Sequence, residues 1–248
     1  MATRITLPRT PSFRLDGRRA LVVGESSGIR AACAVALAKY GAQVTLRARR
    51  GTELQALATE MAASGMKAAS GMMATTVTLD ITEIAATKVA LSALPAFEIL
   101  VNSTGLALHS PAIVTRTEDF DAATALNFCA AFFLTRTVAA RLIAEGKPGN
   151  LINISSQMAH VDGIDCAVYS ATKHAVEGMT KSMAIEWDPL GIRVNTISQT
   201  FIRTSLTEKT FADPERAAWI ASKIKLGRVG EVADIMGAVA FLPRTRQA

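Results

Sequence analysis

Five short apolar runs, each followed by an alanine-rich amphipathic segment, constrain the fold of this chain most. The runs cover residues 21–23, 44–46, 99–101, 151–154 and 194–197. Apolar runs of this length are typical of strands buried on both faces, and the segments between them have the composition of helices. The alternation predicts an α/β fold, a doubly wound parallel sheet with helices on both faces.

The length and composition agree with one domain. Half of the 248 residues are apolar, which is enough to bury one large core, and no linker interrupts the pattern. We therefore expect residues 1–248 to form a single domain. No stretch approaches the ~20 apolar residues needed to cross a bilayer, and the first residues lack the apolar core of a signal peptide. These features predict a soluble, cytoplasmic protein that binds no membrane.

A glycine turn follows the first apolar run. The sequence R-R-A-L-V-V-G-E-S-S-G-I-R-A-A-C indicates a strand, a turn with Gly24 and Gly28, and a helix. This order can place a nucleotide phosphate at the helix N-terminus, where unpaired N–H groups and the helix dipole favour anions. Gly24 allows the tight turn, and Gly28 lets the backbone approach a pyrophosphate without a Cβ in the way. A turn that contains glycine for steric reasons alone is the alternative.

Tyr169, Lys173 and Ser156 form the most informative set of polar residues. Tyr169 and Lys173 are four residues apart in Y-S-A-T-K, so they share one face of a helix, and Ser156 precedes them in I-N-I-S-S. A free tyrosine titrates near ~10, but an adjacent ammonium stabilises the phenolate and lowers that pKa. Tyr169 can then transfer a proton while the Ser156 hydroxyl binds the oxygen of a carbonyl or an alcohol. Because Y-x-x-x-K also arises by chance in many helices, a helix without chemistry is the alternative.

Four motifs in the same order resemble the short-chain dehydrogenase/reductase family, in the group with a G-x-x-x-G-I-G turn. They are G-E-S-S-G-I, L-V-N-S-T-G, the Ser156/Tyr169/Lys173 set and G-I-R-V-N-T-I, and the resemblance covers about residues 13–242. It implies a Rossmann-type domain, a nicotinamide cofactor and hydride transfer between an alcohol and a ketone. It also implies that Asn127 joins the catalytic set by holding a water near Lys173 in a proton relay. A cap or bend in a buried helix is the alternative role for Asn127.

The resemblance further implies contacts along the whole cofactor. The glycine turn would bind the pyrophosphate, Asp80 and Ile81 would lie beside the adenine, and the end of the 99–101 strand would hold the central portion. Ile197 would contact the nicotinamide amide, and Thr204 would lie near the phosphates. The cofactor-binding residues expected from motif and position are Gly24, Ser26, Ser27, Gly28, Ile29, Arg47, Arg49, Asp80, Ile81, Asn102, Gly105, Tyr169, Lys173, Ile197 and Thr204.

The residues at the end of the second strand bear on the choice of cofactor. The sequence there is Arg47-Ala48-Arg49-Arg50, where enzymes that select NAD often have an acid that binds the ribose 2′-hydroxyl. Guanidinium groups at this point can clamp a 2′-phosphate with paired, charge-assisted hydrogen bonds. We therefore expect NADP rather than NAD, with a solvated helix start as the alternative.

Charge, cysteine and histidine usage argue against several classes of function. The net charge is +6, but the basic residues are scattered and aromatic residues make up only 5% of the chain, so no nucleic-acid partner is expected. Cys33, Cys129 and Cys166 stand at unrelated spacings, which predicts buried reduced thiols and neither a disulfide framework nor a zinc site. The three histidines show no metal-ligand spacing, so no catalytic metal is expected.

Some segments depart from the family's pattern. Arg30 replaces the third glycine of the turn, so its long side chain must point outward or displace something. Residues 61–76 are longer than the usual connection, and residues 203–223 have the composition of a helical lid over the substrate. The chain ends in P-R-T-R-Q-A, so the last strand of the family's sheet is missing and one sheet edge is uncovered.

Two hypotheses of function follow. The first is an oxidoreductase that transfers a hydride between NADP(H) and a small ketone or secondary alcohol of sugar, polyol or 3-oxoacyl type, and the polar residues between Ser156 and Tyr169 favour a hydroxylated substrate. The second is a non-catalytic binding or regulatory relative, motivated by Arg30 and the missing strand. The resemblance also implies a homodimer or homotetramer, paired through the helices that begin near Asn127 and Tyr169.

Overall fold

A computed structural model describes residues 12–24, 27–48, 51–64, 75–205 and 207–244. At its centre is a six-stranded sheet in the order β3-β2-β1-β4-β5-β6, in which every neighbouring pair is parallel. The five apolar runs all lie within strands, which confirms the predicted parallel sheet. The strands are β1 (Arg19–Val23), β2 (Gln43–Ala48), β3 (Thr75–Thr78), β4 (Ile99–Asn102), β5 (Gly149–Ile154) and β6 (Ile192–Ile197).

Helices follow the strands and cover both faces of the sheet. Alternate residues of β1 point to opposite faces, because side chains of a strand alternate. Val22 packs with the helices α1, α2 and α9, whereas Leu21 and Val23 pack with α3, α5 and α6. The helices are α1 (Ser27–Lys39), α2 (Gly51–Ala63), α3 (Ile84–Ser92), α4 (Thr117–Thr124), α5 (Ala131–Ala144), α6 (Ala167–Trp187), α7 (Glu208–Ala212), α8 (Pro214–Lys223) and α9 (Val232–Phe241).

The strand order places a crevice at the carboxyl ends of β1 and β4. The chain leaves β1 toward β2 on one side, and β4 lies on the other side of β1, so the connections turn away from each other between these two strands. In open parallel sheets such a reversal point is where ligands bind. The glycine turn, the loop after β4 and the end of β5 all lie at this edge.

One helical run is long and apolar. Within the described residues, Thr117–Ala144 is the helix whose length and mean hydropathy, 1.4 over its most apolar window, would suit a membrane span. Half of that window is buried, and Leu134, Val138 and Leu142 belong to the core on one face of the sheet. The run is therefore explained by its position in the core. A single helix of this kind is in any case weak evidence for a membrane span.

The residues after α9 return to the amino end of the sheet. Arg193 in β6 donates hydrogen bonds to the carbonyl oxygens of Leu242 and Arg244, and Arg18 donates one to Pro243 at 2.5 Å. No strand follows β6 in the described residues. Residues 245–248 lie outside them.

Two segments depart from the usual pattern, the long connection of residues 61–76 and the polar stretch of residues 203–223. Most of the long connection, residues 65–74, lies outside the described part of the chain. The segment predicted as a helical lid does contain the helices α7 and α8. Asp213 begins α8 by accepting hydrogen bonds from the backbone N–H groups of Glu215 and Arg216, at 3.0 and 3.2 Å.

Candidate active site

Two loops close over the glycine turn after β1. A Cβ built on Gly24 would lie 2.2 Å from Ser103 Oγ, and Ser103 itself donates from Oγ and N to the Val23 carbonyl, at 2.8 and 2.7 Å. A Cβ built on Gly28 would lie 2.8 Å from Thr204 Cγ2. Contacts this short do not occur in folded proteins, so a Cβ at either position would displace the Ser103 or the Thr204 side chain. Helix α1 begins in this turn, where its amino end favours an anion.

Three predicted pyrophosphate contacts belong to the same turn. Ser26 lies outside the described residues, and Ser27 is the first residue of α1. Ile29 is partly buried and packs against the core, so its role in the structure is to seat the helix on the sheet.

Arg30 points inward, contrary to the outward course that was one of its two expected options. Its side chain is 1% exposed, and Nη1 donates a hydrogen bond to the Gly24 carbonyl at 2.8 Å. The guanidinium therefore lies beneath the turn and holds its first residue, Gly24. The hydrogen bond to this carbonyl offsets part of the cost of burying the guanidinium.

Arg47 is a buried cation beside the turn. It pairs with Val23 in the β1–β2 register, and its residue is 1% exposed. None of its three guanidinium nitrogens has a hydrogen-bond partner in the described residues, and burial lowers the pKa of the group. An unpartnered buried cation is costly unless an anion meets it. Together with glycines that leave no room for a Cβ, Arg47 fits a phosphorylated dinucleotide. Arg49 lies outside the described residues.

The predicted residues after β3 and at the end of β4 have local partners. Asp80 Oδ1 accepts hydrogen bonds from Thr82 N and Oγ1, at 2.9 and 2.7 Å, and so shapes the turn that brings Ile81 into the core at 5% exposure. Asn102 is 3% exposed and donates to Asn153 Oδ1 at 3.2 Å. Both side chains thus fix the backbone that borders the crevice.

Tyr169 and Ser156 meet at the carboxyl end of β5. Ser156 begins a 3-10 turn, where its Oγ accepts a hydrogen bond from Met158 N at 3.2 Å, and its hydroxyl is a near neighbour of the Tyr169 phenol. Burial raises the pKa of Tyr169 above its usual value, while the neighbouring Ser156 hydroxyl acts in the opposite direction and is outweighed. The expectation that this pKa is lowered is therefore wrong for the protein without ligands, because desolvation is the larger effect. The phenol keeps its proton at neutral pH.

Lys173 lies one helical turn beyond Tyr169 on the same face of α6. Its side-chain nitrogen is 5.7 Å from the centre of the Tyr169 ring and donates a hydrogen bond to the Ile154 carbonyl at 3.1 Å. A Cβ on Gly105 would lie 3.5 Å from this nitrogen, so the glycine keeps the loop after β4 close to the amine. Burial lowers the pKa of Lys173 to about 8. The amine therefore titrates near physiological pH.

Asn127 lies in the π-helical segment Ala125–Ala130, between α4 and α5. Its amide grips the loop after β4, since Oδ1 accepts from Leu106 N at 2.7 Å and Nδ2 donates to Leu106 O at 2.8 Å. Nδ2 also reaches Thr172 Oγ1 on α6 at 3.1 Å. π-bulges are frequent at functional sites. Asn127 thus ties the loop after β4 to α6 from a π-helical segment next to Lys173, and its part in a proton relay stays a prediction.

The end of β6 extends the site beyond the trio. The Ile197 carbonyl accepts from Ser155 N at 2.9 Å, and the Gln199 carbonyl accepts from Gln157 N at 2.9 Å, so β6 continues to follow the chain through the Ser156 turn. Thr204 then crosses to the glycine turn, where its methyl group lies against Gly28. Ile197 and Thr204 are thereby placed along one wall of the crevice.

Two residues at the site were not predicted. Glu177 is 7% exposed and lies one turn beyond Lys173, a spacing that could have revealed it. His109, in the loop after β4, packs its ring edge-on against Tyr169, with centroids 5.7 Å apart, and its Nδ1 is 3.4 Å from Cys166 Sγ. No local pattern marks His109, because only the tertiary structure brings that loop over α6.

The strand order and the glycine turn at the carboxyl end of β1 define an α/β protein of the dinucleotide-binding class. Within that class, the chain belongs to the short-chain dehydrogenase family, whose model matches residues 18–215. It is accordingly an oxidoreductase.

Individual relatives agree over nearly the whole chain. A D-erythrulose reductase of Gallus gallus is 35% identical over 238 residues, which cover 96% of this chain and 93% of the relative. An L-xylulose reductase of Homo sapiens is 34% identical, covering 92% and 89%. The crystal structure of a gluconate 5-dehydrogenase from Burkholderia cenocepacia J2315 in complex with NADP and tartrate has a TM-score of 0.87 at 31% identity, covering 94% and 90%. These names favour an enzyme with a nucleotide cofactor and a small-molecule substrate over the non-catalytic hypothesis.

Proposed function

We propose that this protein is an NADP(H)-dependent reductase of small hydroxylated ketones, with Ser156, Tyr169 and Lys173 as its catalytic residues. One observation carries the proposal: the buried amine of Lys173 lies 5.7 Å from the centre of the Tyr169 ring, one helical turn away on α6, and Ser156 is a near neighbour of the phenol. This group lies at the crevice where the fold binds dinucleotides.

Each residue of the trio has a separate task. Ser156 and Tyr169 can donate hydrogen bonds to the same carbonyl oxygen, which holds the ketone and stabilises the charge that develops on that oxygen. Tyr169 then gives its proton to the oxygen. Lys173, with Asn127 behind it, supplies positive charge next to the phenol and holds the cofactor ribose. NADPH, when bound, supplies the hydride.

The state of Tyr169 favours reduction over oxidation at neutral pH. Burial raises the pKa of the phenol, so it is protonated and can act as an acid without a preceding ionisation. Oxidation of an alcohol needs the phenolate instead. We therefore expect ketone reduction to be fast at neutral pH and alcohol oxidation to become measurable as the pH rises.

The substrate lies among polar side chains. Gln157, His160 and Gln199 surround the Ser156 turn, and Gln199 Oε1 is buried without a hydrogen-bond partner in the described residues. Such groups suit hydroxyls next to the reacting carbonyl. The D-erythrulose and L-xylulose reductases among the relatives act on ketones of this kind by name.

The test follows the loss of NADPH absorbance with D-erythrulose, L-xylulose and a 3-oxoacyl ester, with butan-2-one as the ketone that has no hydroxyl. The hydroxylated ketones are expected to be reduced with the higher kcat/KM. Absence of turnover with every ketone, together with absence of NADPH binding, would contradict the proposal.

Arg47 supports the preference for NADP over NAD. Its buried, unpartnered guanidinium is next to the turn that would hold the phosphates, and a 2′-phosphate would give it an anion. We expect Arg47→Leu to weaken NADPH binding by about tenfold to 100-fold, the worth of one or two charge-assisted hydrogen bonds, and to leave NADH binding unchanged.

The control for Arg47 is Arg116→Leu, which removes an exposed arginine at the start of α4. Binding of both cofactors is measured by NAD(P)H fluorescence. Equal losses of NADPH and NADH affinity in Arg47→Leu would show that Arg47 only maintains the structure of the turn. Arg49 would then be the residue that accounts for a preference for NADP.

We also propose that residues 1–248 form one NAD(P)-binding domain and that the protein assembles as a homodimer or homotetramer. The two cores on either face of the sheet are built from residues of both halves of the chain, which supports one folding unit. Half-buried aromatic side chains on α5 and on the segment before it support the assembly.

A further inference from the structure

Glu177 is a buried carboxylate that lies outside every motif of the site. It stands on α6 one helical turn beyond Lys173, and both residues are buried, at 7% and 4% exposure. Its Oε2 accepts a hydrogen bond from Thr196 Oγ1 at 2.9 Å, and its Oε1 accepts one from Ser198 Oγ at 2.7 Å. The carboxylate therefore fastens α6 to the carboxyl end of β6.

His160 connects the same carboxylate to the Ser156 turn. Its Nε2 is 3.3 Å from Ser198 Oγ and 3.6 Å from Glu177 Oε1. Since the Ser198 hydroxyl donates to Glu177, its oxygen is left to accept from His160. Glu177 thus touches, directly or through one hydroxyl, the helix of Tyr169 and Lys173, the end of β6, and the turn that begins at Ser156.

The carboxylate is ionised at neutral pH. Burial by itself would raise the pKa of Glu177, but hydrogen bonds led by that of Ser198 outweigh burial and hold the pKa below its usual range. Its negative charge raises the pKa of Lys173, against the larger lowering by burial. The other titratable groups that face this pair are Tyr169 on α6 and His160 after β5. The hydrogen bonds that reach this region from β6 and the residue after it come from the hydroxyls of Thr196 and Ser198, and the one from the π-helical segment comes from the amide of Asn127.

We propose that Glu177 is a positioning residue of the active site: its carboxylate holds the catalytic helix in register with the Ser156 turn and places a negative charge one helical turn from the Lys173 amine. The proposal rests on the proposed function, in that Lys173 acts there as a cation. A carboxylate that served only to pack the helix would have no bearing on the protonation of Lys173.

The test compares Glu177→Gln, which removes the charge but keeps the shape, with Glu177→Asp, which keeps the charge. Glu186→Gln, an exposed glutamate on the same helix, is the control. We measure kcat/KM for ketone reduction from about pH 6 to pH 10, and NADPH affinity over the same range by fluorescence. In the native protein both are expected to fall where Lys173 loses its proton, near pH 8.

In Glu177→Gln, the decrease of kcat/KM and of NADPH affinity is expected at a pH about one unit lower than in the native protein, because a nearby negative charge no longer favours the ammonium form of Lys173. Glu177→Asp and Glu186→Gln should keep the native position. A fall that stays in place in Glu177→Gln, with activity lowered equally at every pH, would overturn the proposal and leave a structural role. The NADPH measurement decides the matter even where no ketone is turned over, so failure of the proposed function is recognised separately.

A second pair of substitutions serves if Glu177→Gln is recovered unfolded, as circular dichroism would show. Thr196→Val with Ser198→Ala removes both hydroxyl donors and leaves the carboxylate in place. We expect kcat to decrease about tenfold, because α6 is held less firmly against β6. The pH at which kcat/KM and NADPH affinity decrease should stay the same, because the charge of Glu177 remains. An unchanged kcat would overturn the positioning role.

Discussion

Burial controls the protonation of the two central side chains, Tyr169 and Lys173. It raises the pKa of the phenol and lowers that of the amine to about 8, so both effects favour the neutral groups. The i, i+4 spacing brings these residues to one face, but how far each is shielded from water depends on β5, the loop after β4 and the π-helical segment. The sequence therefore predicts that Tyr169 and Lys173 lie close together, but it does not predict how far burial shifts the pKa of each side chain.

Tyr169→Phe removes the proposed acid with little change of shape. We expect kcat for ketone reduction to fall by about 10²–10⁴-fold, the usual contribution of a proton donor, while NADPH binding changes little. Tyr40→Phe is the matched control, because Tyr40 follows α1 and is 39% exposed. Steady-state rates with NADPH and fluorescence titration provide the measurements, and a loss of activity below about fivefold would remove Tyr169 from the chemistry.

Lys173→Met is expected to stabilise the protein at pH 7 while abolishing activity. The amine titrates at about 8 in the folded protein and at 10.5 when unfolded, so its buried charge costs about 3 kcal/mol at neutral pH. Between these two values the unfolded chain binds more protons, so the stability of the native protein rises with pH and the gain from Lys173→Met shrinks. Urea unfolding at pH 7 and at about pH 10 checks this. Lys181→Met, exposed on the same helix, should show no such pH dependence.

The glycine turn shows how elements that are distant in sequence set the requirement for one residue. Gly28 belongs to α1, yet the atom that excludes a Cβ is Thr204 Cγ2, from the segment after β6. The motif predicts glycine there for approach to a pyrophosphate. The structure adds that this glycine also admits the segment that leads into α7.

Gly28→Ala and Gly178→Ala form a matched pair at the scale of elements. A Cβ on Gly28 must push the Thr204 segment away, so we expect lower stability and weaker NADPH binding. A Cβ on Gly178, within α6, meets nothing within 4 Å, so this alanine should stabilise the helix by up to about 1 kcal/mol and leave activity unchanged. Thermal unfolding and NADPH titration distinguish the two, and equal effects would show that the Thr204 contact is not what requires glycine.

The surface of the whole molecule contains an aromatic cluster on α5 and the segment before it. Phe128 and Phe132 have ring centroids 6.4 Å apart, and Phe132 and Phe133 are 5.3 Å apart, with all three partly exposed. Their exposure gives the long apolar helical run a solvent-facing side, which a second subunit would cover. The family resemblance of the sequence and these partly exposed aromatic side chains both support the proposal that the subunits assemble through this side of the helix.

Phe133→Glu is expected to dissociate the assembly, and Phe133 is chosen because Phe128 and Phe132 also pack against the core of their own subunit. A charge placed in an apolar interface cannot be desolvated without cost, so the mass in solution should fall to that of a smaller oligomer or a monomer. Light scattering coupled to gel filtration measures the mass. Glu215→Gln, on the exposed helix α8, is the control. A native protein that is monomeric at micromolar concentration would contradict the predicted assembly.

The positions of five of the six strands, their parallel arrangement and the trio could be predicted because each follows from local spacing and alternation. Buried strands are short apolar runs, and residues four apart in a helix share a face, so 194–197 and the pair Tyr169/Lys173 could be identified directly. The inward course of Arg30 and the presence of His109 at the site could not. Both depend on which carbonyl or ring a distant segment places nearby.

By itself, the sequence determined the α/β alternation, the glycine turn, and the residue types that can move a proton, because periodicity and short-range geometry act within a few residues. Only the tertiary structure decided that Arg47 is buried with no hydrogen-bond partner for its guanidinium among the described residues, that the pKa of Tyr169 is raised, and that Glu177 joins α6 to β6. Burial and electrostatic interactions are sums over segments far apart in the chain, so they exist only once the chain has folded.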